Sequence, residues 1–453
     1  MTKLFLALFS SSVLTLSAAK QPNVVILYSD DAGYADFGFQ PNCVEEMKKL
    51  TPHIDSIASD GVRLSNAYMT GCVCSPSRAG LMTGKYQQRF GYDNNLPPGY
   101  KSGVDLNVTF GVKHLQSLGY KTGLIGKWHL GYPEAYHPNK RGYDWFYGLL
   151  QGSRGYFPYD KPSPNRVILE NSKPTPESGY VTDRFGDAAC RFIKENKDTP
   201  FYLFVSFTAP HSPNQPKPED KKRIAHISPK GRQSYAGLIV SLDDNVGKIL
   251  KCLKQQGLDE NTLVIFTNDN GGQTATGANN SPLKGKKGTL WEGGVRVPWA
   301  MRWPKHIQKG STIDDPIIAF DIFPTVVEAS GNPIKAEWGI DGRSFLPLLT
   351  GKKNTLPTRA LHWRQHGSRG SIAMREGDWK LIYNRAQAGS KPELYNLKND
   401  IEESQNLADK HPDVANQLIT KMQQWEAQMV EPLWGPGSPG KPAKTKKNSQ
   451  TTK

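Results

Sequence analysis

Three apolar stretches, residues 24–28, 201–207 with Ser206 as its one polar member, and 263–266, constrain the fold of this chain more than any other feature. A strand that is apolar at every position has no face to offer water, so it belongs inside a sheet covered on both sides. Residues 122–128 form a weaker candidate of the same kind. Helical patterns lie between them: 54–59 ending at Gly61, 112–118 ending at Gly119, and a long one over 234–256 ending at Gly257. The long one places Leu238, Leu242, Val246, Ile249 and Leu253 on one face. Strands alternating with helices predict an α/β fold with a large, mostly parallel sheet sandwiched by helices. In such sheets chemistry collects at the carboxyl ends of the strands.

Near residue 353 the pattern changes. Short segments at 360–363, 371–374, 379–383 and 393–395, separated by turns, predict a small antiparallel sheet, and 414–429 reads as an amphipathic helix. The expected organisation is a large α/β domain over 20–352, a small C-terminal α+β domain over 353–433, and a disordered basic tail over 434–453. At the other end, Lys3, an apolar run over 4–16 and Ser17-Ala18-Ala19 have the layout of a signal peptide occupying 1–19. It predicts a secreted or periplasmic protein. No later stretch is long and apolar enough to span a bilayer.

Lys and Arg number 57 against 42 Asp and Glu, a net charge of +15, of which five lysines lie between Lys441 and Lys453. A basic balance suits an anionic partner. No nucleic-acid motif accompanies it, so no nucleic acid is expected as partner. There is no Walker loop or dinucleotide fingerprint, and ten histidines without a Cys-x-x-Cys pair speak against a zinc cage. Five cysteines are too few for a disulfide scaffold, and the pairing of Cys43, Cys72, Cys190 and Cys252 stays open.

The residues that carry chemistry follow the strands. Asp30 and Asp31 come after the first apolar run, and Asp269 and Asn270 after the run at 263–266. Adjacent carboxylates repel unless a cation lies between them, and all-oxygen ligands favour a hard ion, Ca²⁺ or Mg²⁺. Lys127 and His129 are two apart and share a face in extended chain, which suits holding an anion and moving a proton. His211 follows the run at 201–207. The sharpest string is Cys74-Ser75-Pro76-Ser77-Arg78-Ala79-Gly80-Leu81-Met82-Thr83-Gly84, in which Cys74 and Arg78 share one helix face.

That string resembles the signature C-x-P-S-R-x-x-L-x-T-G of the formylglycine-dependent sulfatases, members of the alkaline-phosphatase-like superfamily. Gly126-Lys127-Trp128-His129-Leu130-Gly131, Ala209-Pro210-His211 and the segment from Leu283 to Gly294 resemble further elements of that family in its order. The resemblance covers about 23–425 and looks nearest to bacterial polysaccharide and glycosaminoglycan sulfatases. It implies sulfate ester hydrolysis by a sulfuric ester hydrolase. It implies that a maturation enzyme oxidises Cys74, rather than Cys72, to formylglycine. It also implies one divalent cation, calcium by expectation with magnesium as the other option, on Asp30, Asp31, Asp269, Asn270 and the modified Cys74. Arg78, Lys127 and Lys287 are then the sulfate-holding cations, with Lys286 competing with Lys287 for that place. His129 serves the formylglycine hydroxyls, and His211 lies beside the leaving oxygen.

A basic, exported member of such a family is expected to act on a sulfated carbohydrate. Trp145 and Tyr156 are candidates to stack on sugars, and Ser153 and Arg154 to bind a second anionic group. Trp363 and Arg364 are candidates to reach the same pocket from the small domain. The alternatives are a formylglycine-dependent phosphodiester or phosphonate hydrolase and a non-catalytic polysaccharide-binding protein.

Overall fold

The computed structural model of the chain describes residues 21–439. The expected signal peptide and the tail beyond 439 lie outside the described residues. In chain order the first strands are β1 (Asn23–Ser29), β2 (Val62–Leu64), β3 (Ala67–Tyr68), β4 (Lys121–Lys127), β5 (Trp145–Leu149), β6 (Leu169–Glu170), β7 (Lys173–Pro174) and β8 (Phe201–Ser206). They continue with β9 (Thr262–Asn268), β10 (Trp299–Arg302), β11 (Ser311–Ile313) and β12 (Ile317–Ile318). One sheet runs in the order β11-β2-β10-β9-β1-β8-β4-β5-β6-β7, and β12 pairs β3 beside it. Its middle, β9-β1-β8-β4-β5, is parallel throughout, while β10 runs antiparallel to β9.

The three apolar runs are therefore adjacent central strands, as their composition requires. Alternate residues of β1 serve opposite faces. Val24, Ile26 and Tyr28 join a core under the helices Cys74–Thr83, Gly111–Ser117 and Ile322–Ala329. Val25 and Leu27 join the core under Pro52–Ser59, Val181–Glu195 and Lys230–Gln255. The architecture is the expected mostly parallel sheet sandwiched by helices.

Strand register sets the site. Ser29 pairs with Asn268, Tyr28 with Ser206, and Gly126 with Ser206. β9, β1, β8 and β4 thus end level, and the residues that follow them emerge side by side. Gly126 is needed for this: its φ is +93°, and a Cβ there would lie 1.9 Å from the carbonyl oxygen of Ser206.

The C-terminal part is an antiparallel meander of β13 (Ala360–Gln365), β14 (Ser371–Glu376), β15 (Trp379–Asn384) and β16 (Glu393–Asn396), with the helix Pro412–Glu426 against it. Its apolar face shares one core with Tyr68, Cys72, Tyr86, Leu290 and Phe320 of the larger part. A buried ion network crosses the same junction. Lys380 lies 2.8 Å from Glu292 and 2.9 Å from Glu403, all three fully buried.

The boundary expected at 434 is corrected. Trp434 is buried, edge-on to Tyr92 at 4.6 Å between ring centres, and its Nε1 donates to the carbonyls of Asn94 and Asn95. Proline and glycine around it give no local sign of packing. The indole is held by aromatic residues more than 330 positions away.

Candidate active site

Asp30, Asp31 and Asp269 converge at the carboxyl edge of β1 and β9. With the sulfur of Cys74 they offer ligand atoms all within 4.8 Å of one another. Asp31 is held by its own backbone in the left-handed region, φ 68°, and its N–H donates to Asp269 Oδ1 at 3.1 Å. Asn270 donates through Nδ2 to Asp31 Oδ1 at 2.8 Å, which leaves its buried Oδ1 without a partner. Three carboxylates and one orphaned amide oxygen form an all-oxygen donor set suited to a hard divalent cation.

Cations interleave with these acids. Lys127 Nζ lies 2.7 Å from Asp30 Oδ2. Arg78 lies 3.0 Å from Asp269 Oδ2, and its other terminal nitrogen donates to Ser206 Oγ and to the carbonyl of Lys127. Lys287 Nζ lies 2.7 Å from Asp31 Oδ2 and 3.3 Å from Cys74 Sγ. Lys286 is exposed, so of the two competing lysines Lys287 stands in the cluster. Burial and Asp269 push the carboxyl of Asp30 up to about 6. Burial also opposes charge on Asp269, but Arg78, Lys127 and Lys287 outweigh it and hold Asp269 well below the usual carboxylate range.

Cys74 is the first residue of its helix and points at this cluster, its sulfur 3.7 Å from Asp30 Oδ1. Burial and Asp269 push its thiol up to about 12. The helix N-terminus does not turn it into a thiolate, because the surrounding carboxylates and the loss of water dominate.

His129 also sits in the left-handed region, φ 63°. Its Nε2 faces the carbonyl of Leu96 at 3.3 Å and must carry the hydrogen, so the buried and unpartnered Nδ1 is left as an acceptor. Burial, then Lys127 and Arg78, hold its pKa well below the usual value, so the ring is neutral. Gly152 packs on that ring, and a Cβ there would lie 2.3 Å from it. His211 Nδ1 meets the carbonyl of Ser212 at 2.7 Å, which leaves Nε2 facing Asp31 at 3.5 Å. It is the most exposed member of the group, at 18% against 12% for Lys287.

The expected sugar-side residues are placed otherwise. Trp145 begins β5 opposite Gly123, four residues before Lys127, hence about 13 Å back from the reactive edge. Its ring stacks on Tyr147 and Phe192. Arg154 is buried and ion-paired with Glu177 at 2.8 Å, so no second anion finds it free. Tyr156 is fully buried, its hydroxyl on the carbonyls of Thr208 and His211. Trp363 donates to the carbonyl of Met69, and Arg364 pairs with Asp93, both buried. Ser153 stays half-buried beside Gly152.

Supporting residues escaped the sequence. Ser75 Oγ donates to the carbonyl of His129 and accepts from the N–H of Leu96. Asn95 accepts from the N–H of Ser75, and Ser206 braces Arg78. Their only signal is proximity in space to the motif residues.

Residues 22–332 match the family model described as Sulfatase, and 286–428 match that described as N-sulphoglucosamine sulphohydrolase, C-terminal. The uncharacterized sulfatase YdeN of Escherichia coli (strain K12) is 28% identical, covering 89% of this chain and 85% of its own. Steryl-sulfatase of Homo sapiens is 31% identical over 77% of this chain and 73% of its own. The solved structure of Ps i-CgsB in complex with k-i-k-neocarrahexaose is 35% identical with a TM-score of 0.86, covering 92% of this chain and 95% of that one.

Proposed function

The chain belongs to the sulfatase family and is a sulfuric ester hydrolase, and on that premise we propose that it removes sulfate from a carbohydrate, using a formylglycine made from Cys74 and one divalent cation, calcium by preference. The observation that carries this reading is the place of Cys74. Its sulfur lies between Lys287 and Asp30 at the focus of three carboxylates, and its thiol is held too high to work as a thiolate. The oxygens of Asp30, Asp31 and Asp269 and the orphaned Oδ1 of Asn270 suit the cation.

When in place, the formylglycine supplies the attacking hydroxyl and the cation draws charge from the sulfate oxygens. The chain's own groups do the rest. Lys127, Lys287 and Arg78 present fixed positive charge to oxygens on which negative charge grows. In its doubly protonated form, with Nδ1–H on the carbonyl of Ser212, His211 hands the proton on Nε2 to the departing alcohol oxygen and is left neutral. His129, neutral with Nδ1 free, takes a proton inside the site. Burial of Asp30, Asp269, Arg78 and Lys127 keeps water from competing with these charges.

A carbohydrate is favoured over a steroid because the relative at 35% identity holds an oligosaccharide. The apolar run over 4–16 supports export. The test is the peptide mass around Cys74 read beside turnover on a panel of sulfated oligosaccharides and a steroid sulfate. Full activity with an unmodified thiol overturns the formylglycine. Turnover of the steroid alone overturns the carbohydrate.

A further inference from the structure

Tyr156 reaches the reactive edge from the segment that follows Gly152, the residue packed on the ring of His129. Its hydroxyl lies 2.7 Å from the carbonyl oxygen of His211 and 2.9 Å from that of Thr208. Thr208 and His211 are the two ends of one turn, closed by His211 N–H on the carbonyl of Thr208 at 2.8 Å. One buried hydroxyl therefore caps both ends of the turn that presents the imidazole. Burial holds that hydroxyl well above its ordinary pKa, so it stays a donor.

The turn is fastened further on as well. The N–H of Tyr156 donates to Gln215 Oε1 at 3.0 Å, and Tyr180 donates from its hydroxyl to the carbonyl of Gln215, also at 3.0 Å. The rings of Tyr156 and Tyr180 stack at 5.4 Å. Arg154, locked to Glu177, anchors the residues just before. The loop from Thr208 to Gln215 is thus sewn to the segment 154–180 at three points. Without these ties His211 is held at its ring only by Ser212 of its own loop and by Asp31.

We propose that Tyr156 is a positioning residue for the proton donor, its hydroxyl fixing the turn Thr208–His211 so that His211 Nε2 points at the leaving oxygen. The inference rests on the reading of His211 given above. Without this hydroxyl the carbonyl of His211 would lose its donor, whereas that of Thr208 keeps the N–H of His211, so removing the hydroxyl frees the His211 end of the turn. Stiffness matters most where a proton must pass within hydrogen-bond reach of a departing oxygen.

The experiment compares two sulfate esters, an unactivated sugar sulfate and nitrophenyl sulfate, whose phenolate leaves without a proton. Tyr156→Phe removes only the hydroxyl, and Gln215→Ala loosens the same loop from an exposed position. Each is measured per mole of folded protein carrying the modified Cys74, beside His211→Ala. Tyr156→Phe is expected to lower kcat on the sugar sulfate at least about ten-fold, with KM little changed and nitrophenyl sulfate hydrolysed within about two-fold of the parent. Gln215→Ala should show the same selectivity to a smaller extent, and it decides the matter if Tyr156→Phe does not fold. Equal losses on both esters, or none, overturn the positioning role while a selective His211→Ala leaves His211 as the donor. Equal losses in His211→Ala overturn the reading of His211 itself, and the role of Tyr156 with it.

Discussion

Withdrawing divalent cations is expected to lower the melting temperature without unfolding the protein, and the charges of the site explain why the effect is moderate. The ligand atoms of Asp30, Asp31 and Asp269 lie within 4.8 Å of one another. At that spacing two carboxylates repel by roughly 3 kcal/mol at an effective dielectric of about 20. Lys127, Arg78 and Lys287 stand against them, three cations for three anions, so the cluster without an added ion is close to neutral. A cation present at about one hundred times its dissociation constant should add about 2.7 kcal/mol. For a chain of 453 residues the unfolding entropy is about 1 kcal/mol per kelvin, which converts to a rise of about 3 °C. The assay is a melting curve in chelator, then with calcium or magnesium at stepped free concentrations, with turnover read alongside. Lys287→Met sharpens it. Removing a cation at 2.7 Å from Asp31 should tighten binding of the divalent ion by at least about ten-fold, while turnover falls because a sulfate-holding charge is gone. A melting temperature indifferent to the ion in both proteins, with turnover intact in chelator, would refute the assignment of Asp30, Asp31, Asp269 and Asn270.

Gly152→Ala should cut kcat by more than about ten-fold and stability by only about 1–3 kcal/mol, because its Cβ would occupy the place of the His129 ring; a variant of normal kcat would show that the ring can move freely. A chain ending at 429 should lose about 3–5 kcal/mol, the usual scale for deleting a buried Trp, whereas one ending at 439 should melt like the parent; equal melting points would show that Trp434 adds nothing. Glu403 is pushed up to about 7 by burial and Glu292, although Lys380 opposes this. A folded-state pKa above the unfolded value means that its contribution is whole below about pH 4.5 and is lost as pH rises through 7. Glu403→Gln should therefore stabilise the protein relative to the parent at pH 8 but not at pH 4, and chemical denaturation at the two values decides it.

The central strands and the motif residues were legible in the sequence because both signals are local. An unbroken apolar run reports a strand buried on both faces, and a polar pair directly after it reports the carboxyl edge. The small antiparallel sheet was legible for the same reason, through short runs and turns. What the sequence did not determine depends on register and on contacts between distant positions. Asp31 and Asp269 meet across 238 residues because Ser29 pairs with Asn268. Lys287 rather than its neighbour enters the cluster because the backbone of that loop is tied to Gly272 and Cys72. Arg154 and Tyr156 have the composition of a sugar-binding surface, yet both turn inward. A charged or aromatic side chain reads the same whether it faces a ligand or a buried partner, and only the fold brings up Glu177 and the His211 turn to claim them. Trp434 shows the converse, a residue in a stretch that looks unstructured and is held by an aromatic pocket built from the far end of the chain.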